Sequence, residues 1–543
     1  MWYNEKKRRK EFAVMAVKKE ISSTLENILW NCRVALRGVG SSEKNRDAVI
    51  SLVFLKFAGD KFENRRAEIL AKYGNDAPFL EKTSFYTATN VFYLRESARW
   101  SYIVKNASSN EIAVIIDKAL SEIENDNIAL KGALPLNLFA TLSVEKSRIK
   151  NLIDNVNKLN EKNFNEEDLI GRVYEYFLQA YAASGTKEDG EFYTPACIVK
   201  LITELIEPYK GVVYDPCCGS CGMFVQSLKF VDSHKGNRSN VSIVGQESKP
   251  DTWRLCKMNL AIRGIAHNLG ETPASTFTND LHKDRKVDYV LANPPFNLKD
   301  WRGADELKDD PRFIRAGFSV MPPVSNANYA WILHILSKLN TTNGLAGFLL
   351  ANGALNAGNV EYNLRKEILE RDVVEAIIVL PRDMFYTTDI SVTLWILNMN
   401  KKADEVNGRK LRDRTGEILF MDLRRWDEQT EEIVIDKGKK KKKTVLIDEQ
   451  IARVKKIYND WQIGLDCSDV AELCRAVKLG EISEKEYSLA PSEYIEFVDH
   501  DLEIDFPAEM ERIQTEMREI LALEKKSQSM FTDAFRGIGY GID

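Results

Sequence analysis

Val287-Asp288-Tyr289-Val290-Leu291-Ala292-Asn293-Pro294-Pro295-Phe296 is the stretch from which the fold of this chain is read. Its first six residues form a short apolar run with β-branched side chains, the composition of a buried parallel strand. The run stops at Asn293, because Pro294 bars helix at the residue before it and Pro295 repeats the restriction. The result is a rigid elbow at the carboxyl end of a strand, where open α/β sheets bind their ligands. That elbow offers one amide, two carbonyls whose residues carry no N–H, and one aromatic ring.

These groups suit one chemical problem, the activation of an aromatic amine. The lone pair of adenine N6 is delocalised into its ring, so the amine attacks poorly. Two acceptors gripping its hydrogens, the Asn293 side-chain oxygen and the Pro294 carbonyl, would draw the nitrogen toward a tetrahedral shape. Phe296 would stack on a base flipped out of the duplex. Asn is not a base, so its expected work is positioning and dipole complementarity. Asn-Pro-Pro also serves as a plain turn, and its surroundings have to decide.

Outward from the elbow, short apolar runs at 212–214, 241–244, 287–292, 345–350, 376–380 and 392–398 alternate with helical stretches. That alternation predicts an α/β fold with a doubly wound sheet. Residues 20–165 read as mostly helical, with Asp47–Phe57 and Leu136–Leu152 as amphipathic or apolar helices. Beyond 400, Glu432–Asp436 and Thr444–Asp448 flank Lys437–Lys443, which predicts a hairpin with a lysine tip. The tip is either a solvated loop or a phosphate contact. After Pro507, Met510, Ile513, Met517 and Ile520 recur at 3-4-3 spacing, a short amphipathic helix suited to docking on a partner. The expected domains are a basic extension (1–19), a helical region (20–165), a catalytic domain (166–410), a charged region with the hairpin (411–484) and a helical tail (485–543).

A length of 543 residues fits these parts, at about three or four domains. The net charge of −5 means that any contact with DNA is local or shared with a partner. No apolar run approaches the ~18 residues of a membrane span, and the apolar segment behind Lys6–Lys10 is too short for a secretory core. The cytoplasm is the expected compartment, and Met15 is an alternative start. Eight cysteines in so long a chain do not form a disulfide framework. Cys218-Gly-Ser-Cys221 has zinc or redox spacing, but no second such pair follows and the five histidines are scattered, so no metal is expected.

Val212–Met223 reads as a strand, a glycine-bearing turn around Asp215, Gly219, Ser220 and Gly222, and a helix start. Small residues there let backbone approach a ligand, with helix N–H groups facing it. Glu247, at the end of the next apolar run, suits a grip on ribose hydroxyls. Asp280 could accept from an adenine amine.

With these motifs in place, the chain resembles the modification subunit of type I restriction–modification systems, from about residue 20 to the end. These are S-adenosylmethionine-dependent DNA adenine-N6 methyltransferases. The resemblance is carried by Glu191-Phe-Tyr-Thr-Pro195, the turn at 215–222, Gly245-Gln-Glu247 and Asn293-Pro-Pro-Phe296. Asn328-Tyr-Ala-Trp331, Phe385-Tyr-Thr-Thr388 and Tyr487-Ser-Leu-Ala-Pro491 add to it. It implies a Rossmann-like methyltransferase sheet, a helical N-terminal domain and a helical C-terminal tail. By resemblance, Glu191, Phe192, Tyr193, Thr194, Pro195, Asp215, Gly219, Ser220, Gly222, Glu247 and Asp280 hold S-adenosylmethionine. Asn293, Pro294, Pro295 and Phe296 hold adenine. The implied partners are double-stranded DNA, a DNA-specificity subunit on the tail, a restriction (translocase/nuclease) subunit and a second modification subunit, with no membrane.

One residue departs from the family pattern. Cys221 stands where the family usually has Gly; a left-handed backbone there would cost about 1–2 kcal/mol, and the thiol is expected to crowd the cofactor. Three alternatives remain open. A self-sufficient DNA adenine methyltransferase lacks support, since no large base-reading domain follows residue 400. Protein glutamine methyltransferases share a similar elbow but are generally much smaller. A non-catalytic scaffold would have its pocket blocked by Cys221. No nuclease or helicase motif is present in the sequence.

Overall fold

The computed structural model describes residues 25, 27–74, 79–159, 173, 176–177, 194–313, 317–385, 388–436, 439–465, 469–497 and 506–537. The chain divides into two compact units, Met1–Ile495 and Glu496–Asp543.

In the first unit the apolar run of the elbow is strand β4. The strands are β1 (Gly211–Asp215), β2 (Val241–Gly245), β3 (His267–Asn268), β4 (Tyr289–Ala292), β5 (Leu345–Ala351), β6 (Val374–Val379), β7 (Val392–Asn398), β8 (Asp404–Val406), β9 (Arg409–Leu411), β10 (Glu417–Asp422), β11 (Thr430–Asp436), β12 (Lys439–Thr444), β13 (Asp469–Val470) and β14 (Cys474–Lys478). Ten of them form one sheet in the order β13-β14-β10-β6-β7-β5-β4-β1-β2-β3. β3, β2, β1, β4 and β5 run parallel. β7 is antiparallel to both neighbours.

Alternate residues along each strand feed opposite cores. On β4, Leu291 packs on one face with Ile198, Ile202 and Phe224, while Val290 and Ala292 pack on the other with Tyr329, Ile332 and Leu333. Helices α4 (Ala196–Ile206), α5 (Gly222–Ser233), α6 (Pro250–Ile262) and α9 (Asp448–Ile463) supply the first face, and α7 (Asn328–Lys338) and α8 (Asn359–Glu370) the second. Both faces are therefore dry, as a near-continuously apolar strand requires. β1 and β4 are joined at their starts by Asp288, whose Oδ2 accepts from the Val212 N–H at 2.8 Å. A side chain at Gly211 would overlap the Asp288 carboxylate.

The helical region before residue 160 is built on α1 (Ser42–Tyr73), α2 (Ile112–Asp126) and α3 (Lys146–Val156). Ser41 caps α1 by accepting from Lys44 N. Its core includes Leu255, Met258 and Ile262 of α6, so α6 is apolar on two sides and joins the helical region to the sheet. Among the described residues no helix is long and apolar enough to cross a membrane.

Two expectations change. The sheet does not stop at residue 410, since β10 pairs with β6 and β14 pairs with β10. Residues 485–495 also belong to this unit: Leu489 N donates to Leu355 O at 2.9 Å and Arg365 Nε to Tyr487 O at 2.7 Å. The lysine run, expected as a hairpin tip, is instead strand β12 itself, paired antiparallel to β11. Its last lysine, Lys443, is buried against Asp389 at 2.8 Å; the residues at the turn, 437–438, lie outside the described residues.

The second unit is one helix, α10 (Phe506–Gly537), of 32 residues. It is longer than the 510–520 pattern suggests and carries exposed Met510, Ile513, Met517, Ile520, Leu523 and Phe531.

Candidate active site

The strand order reverses at β1, with β2 and β3 on one side and β4 and β5 on the other. The carboxyl ends of β1 and β4 open there into a cavity of about 760 Å³. Such a switch point is the usual ligand site of a doubly wound sheet. Thr194, Asp215, Gly219, Ser220, Gly222 and Glu247 line it, and so do Asn293, Pro295 and Phe296.

The β1 side is acidic. Asp215 is 2% exposed and accepts from the Cys217 N–H at 3.0 Å. Burial pushes its carboxyl up to about 7, opposed by the Cys217 hydrogen bonds. Glu247 accepts from the Gly219 and Lys249 N–H groups at 3.0 and 2.8 Å, and burial raises its carboxyl above the usual range. Each carboxylate keeps acceptor capacity beyond these bonds. The turn between them has Gly219 at φ 54. Asn259 Nδ2 pins it by donating to Ser220 O at 2.7 Å.

The β4 side is the elbow. Asn293 Nδ2 donates to Thr194 Oγ1 at 3.0 Å, while Asn293 Oδ1 is buried with no partner among the described residues. A buried acceptor left without a donor costs about 1–3 kcal/mol. Pro294 is buried behind it and is not part of the cavity wall. Phe296 meets Phe385 edge-on at 5.7 Å between centroids. The loop beyond is tied to α7 by reciprocal bonds, Asn328 Nδ2 to Asn297 Oδ1 at 2.9 Å and Asn297 N to Asn328 Oδ1 at 3.1 Å.

Two expected cofactor residues, Asp280 and Pro195, are not part of the cavity wall. Asp280 does not line the cavity; its Oδ2 lies 2.6 Å from Lys338 Nζ, and both side chains are 2% exposed. Arg312 is 3.9 Å away. Two cations buried this deeply need a carboxylate, and Gln246 holds the loop in place, its amide bonding Asn279 O and Leu281 N. Pro195 only begins α4 as its N-cap residue, and Glu191, Phe192 and Tyr193 lie outside the described residues.

A profile of the N-6 DNA methylase family matches residues 165–501, and one of the HsdM N-terminal domain matches residues 25–159. The type I restriction enzyme HindI methylase subunit of Haemophilus influenzae is 35% identical over 79% of this chain and 93% of its own length. The MjaIX methylase subunit of Methanocaldococcus jannaschii is 32% identical over 96% of this chain and 92% of its own. The chain belongs to the N-6 DNA methylase family. Its fold is shared by a type I methyltransferase subunit from Streptococcus thermophilus, with a TM-score of 0.71 and 22% identity over 88% of this chain and all of that one.

In this methylase the sequence reading missed the far wall. Phe277 packs on Trp331 and Trp301 at 4.2 and 4.7 Å, and all three line the cavity. Trp331 lay within a motif already singled out, but nothing in a single aromatic residue distinguishes a cavity wall from a core. Cys221 has φ 68, the left-handed conformation anticipated for that position. The Cys221 thiol does not reach the cavity: it is fully buried, is absent from the cavity wall and is disulfide-bonded to Cys256 of α6. A single bridge is not a disulfide framework, and this one crosses between elements that sequence spacing does not relate.

Proposed function

We propose that this chain is the catalytic modification subunit of a type I restriction–modification complex, an S-adenosylmethionine-dependent DNA adenine-N6 methyltransferase. The observation that carries the reading is the unpartnered Asn293 Oδ1 on the rigid elbow, across the cavity from Asp215 and Glu247. The residues fit the cofactor: two buried carboxylates with spare acceptor capacity, a glycine turn open to close approach, and a cavity large enough for cofactor and base together.

S-adenosylmethionine, when bound, supplies a methyl group on a positively charged sulfur. Asp215 and Glu247 would hold its cationic and hydroxyl groups along the glycine turn. Asn293 Oδ1 would accept a hydrogen of the adenine amine, concentrating the nitrogen lone pair toward the cofactor side. Phe296, braced by Phe385, receives the flipped base on its face. The elbow is stiff before substrate arrives, so little reorganisation is needed at the moment of transfer.

Target choice then falls to a DNA-specificity subunit docked on the exposed apolar residues of α10, in line with the net charge of −5. A restriction subunit and a second modification subunit complete the assembly. Asn293→Ala tests the reading. With the specificity subunit present, transfer of tritiated methyl to duplex DNA should fall by about 100- to 1000-fold, the effect of losing one transition-state donor or acceptor. Cofactor affinity should stay within a few-fold, and a variant that keeps a tenth of its rate refutes the role.

A further inference from the structure

Three cysteines meet beneath the glycine turn, and methyl transfer uses none of them. Cys218 and Cys221 come from the turn between β1 and α5, Cys256 from α6, with all three sulfurs within 4.8 Å of one another. Their exposures are 4%, 0% and 0%. The Cα atoms of Cys221 and Cys256 are 5.1 Å apart, a separation a disulfide spans without moving backbone. Cys218 Sγ lies 3.9 Å from Cys256 Sγ, and Cys218 alone of the three lines the cavity. Cys221 sits at φ 68 and ψ 26, a left-handed conformation disfavoured for any residue with a Cβ. It stands between Ser220 and Gly222, both on the cavity wall. The bridge therefore holds in place a backbone shape that the residue would not choose by itself.

We propose that Cys221 and Cys256 are a reversible redox pair that sets the grip of the cofactor turn, with Cys218 as the thiol through which the bridge is opened. The proposal deepens the cofactor reading above and rests on it. In closure, the two thiols give up two protons and two electrons to a small-molecule disulfide, which leaves as two thiols while one S–S bond forms. In opening, the Cys218 thiolate attacks Cys256 Sγ. The Cys218–Cys256 bond forms, the Cys221–Cys256 bond breaks, and Cys221 leaves as a thiolate that takes up the proton Cys218 lost. The bridge now lies at the cavity wall, where two small-molecule thiols reduce it by the same exchange and leave as their disulfide. Cys221 is then free to abandon the left-handed conformation, and Ser220 and Gly222 move with it. In the closed form the burial of Cys218, beside the Asp215 and Glu247 carboxylates, holds its thiol well above its ordinary pKa, so the bridge persists until the cavity opens. Where thiols are kept reduced, disulfides of this kind are transient and redox-sensing.

The full chain is equilibrated with glutathione disulfide or with dithiothreitol and mapped by non-reducing peptide mass spectrometry. Affinity for S-adenosylhomocysteine is then measured by calorimetry in each state. The expected results are a Cys221–Cys256 peptide in the oxidised form only and binding about tenfold tighter in that form, or ~1.4 kcal/mol. Cys256→Ser should bind as the reduced wild type does under both conditions. Failure to form the bridge, equal affinities with the bridge formed, or a stoichiometric zinc ion released by thiol reagents each overturns the proposal. Binding in neither state, with the bridge mapped, refutes the cofactor reading together with the coupling but leaves the redox pair standing.

Discussion

Replacing Asp280 by Asn separates a structural carboxylate from a cofactor ligand. In the wild type, Lys338 and Asp280 are both 2% exposed and 2.6 Å apart. The variant keeps the shape of the side chain and its hydrogen bond from the His282 N–H, but leaves the Lys338 ammonium without a counter-charge. Removing one member of a buried ion pair costs about 3–5 kcal/mol. The low end applies here, because the His282 and Lys283 carbonyls still accept from Lys338 Nζ. A loss of about 3 kcal/mol is expected, read as a lower urea midpoint of tryptophan fluorescence. Burial already holds the Lys338 pKa below its ordinary value, with Asp280 opposing; without Asp280 it falls further. The unfolded chain then binds the proton more tightly than the folded one, so the variant should gain stability as pH rises from 7 to 9. Adding Lys338→Met should restore part of the loss by removing the stranded charge. Affinity for S-adenosylhomocysteine should stay within about twofold, since Asp280 does not line the cavity. Full stability combined with lost affinity would refute this placement and return Asp280 to the cofactor.

Three further outcomes are expected. The Asp215 carboxyl is raised to about 7, above its unfolded value, so the ligand-free protein loses stability as pH rises toward and through 7. A ligand carrying an ammonium group favours the ionised form, so thermal stabilisation by S-adenosylhomocysteine should grow from pH 6 to 8 and flatten in Asp215→Asn. Phe296→Ala should weaken capture of the flipped base by about 1–3 kcal/mol, read as a smaller 2-aminopurine fluorescence rise at the target position; an unchanged rise counts against the stacking role. Truncation after Asp505 removes α10 while leaving Met1–Ile495, a compact unit by itself. The shortened chain should stay folded and bind cofactor but no longer co-purify with the specificity subunit, and continued co-purification shows that the tail is dispensable.

The elements that bury one periodic face were legible from sequence. The apolar runs at 212–214, 241–244 and 345–350 are strands β1, β2 and β5, because short apolar runs bounded by turn residues read as buried strands. β10 and β14 were not assigned to the sheet. Glu417, Asp422, Arg475 and Lys478 punctuate them with charge that only three-dimensional pairing satisfies: Glu417 receives Arg412, Trp461 and Lys478. The lysine run misled for the same reason, since repulsion between neighbours argues for a loop while β11 opposite supplies Glu431 and Glu432. At the site, Asn293, Phe296 and Asp215 were legible from chemistry at strand ends. Asp280 was not, because the cations that claim it, Lys338 and Arg312, come from distant segments. Phe385, which braces Phe296, lies 89 residues beyond it in the chain.

The hydrogen bond from Asn293 Nδ2 to Thr194 Oγ1 ties one end of the amide and leaves Oδ1 without a partner among the described residues. A free amide could turn over and present N–H groups, welcoming a carbonyl as readily as an amine. Held as it is, the elbow offers an oxygen as its acceptor. A base with a carbonyl where adenine has its amine would set oxygen against oxygen and leave buried acceptors unpaired. On the adenine reading proposed above, Thr194 would bias the elbow toward an amine by holding the far side of the amide.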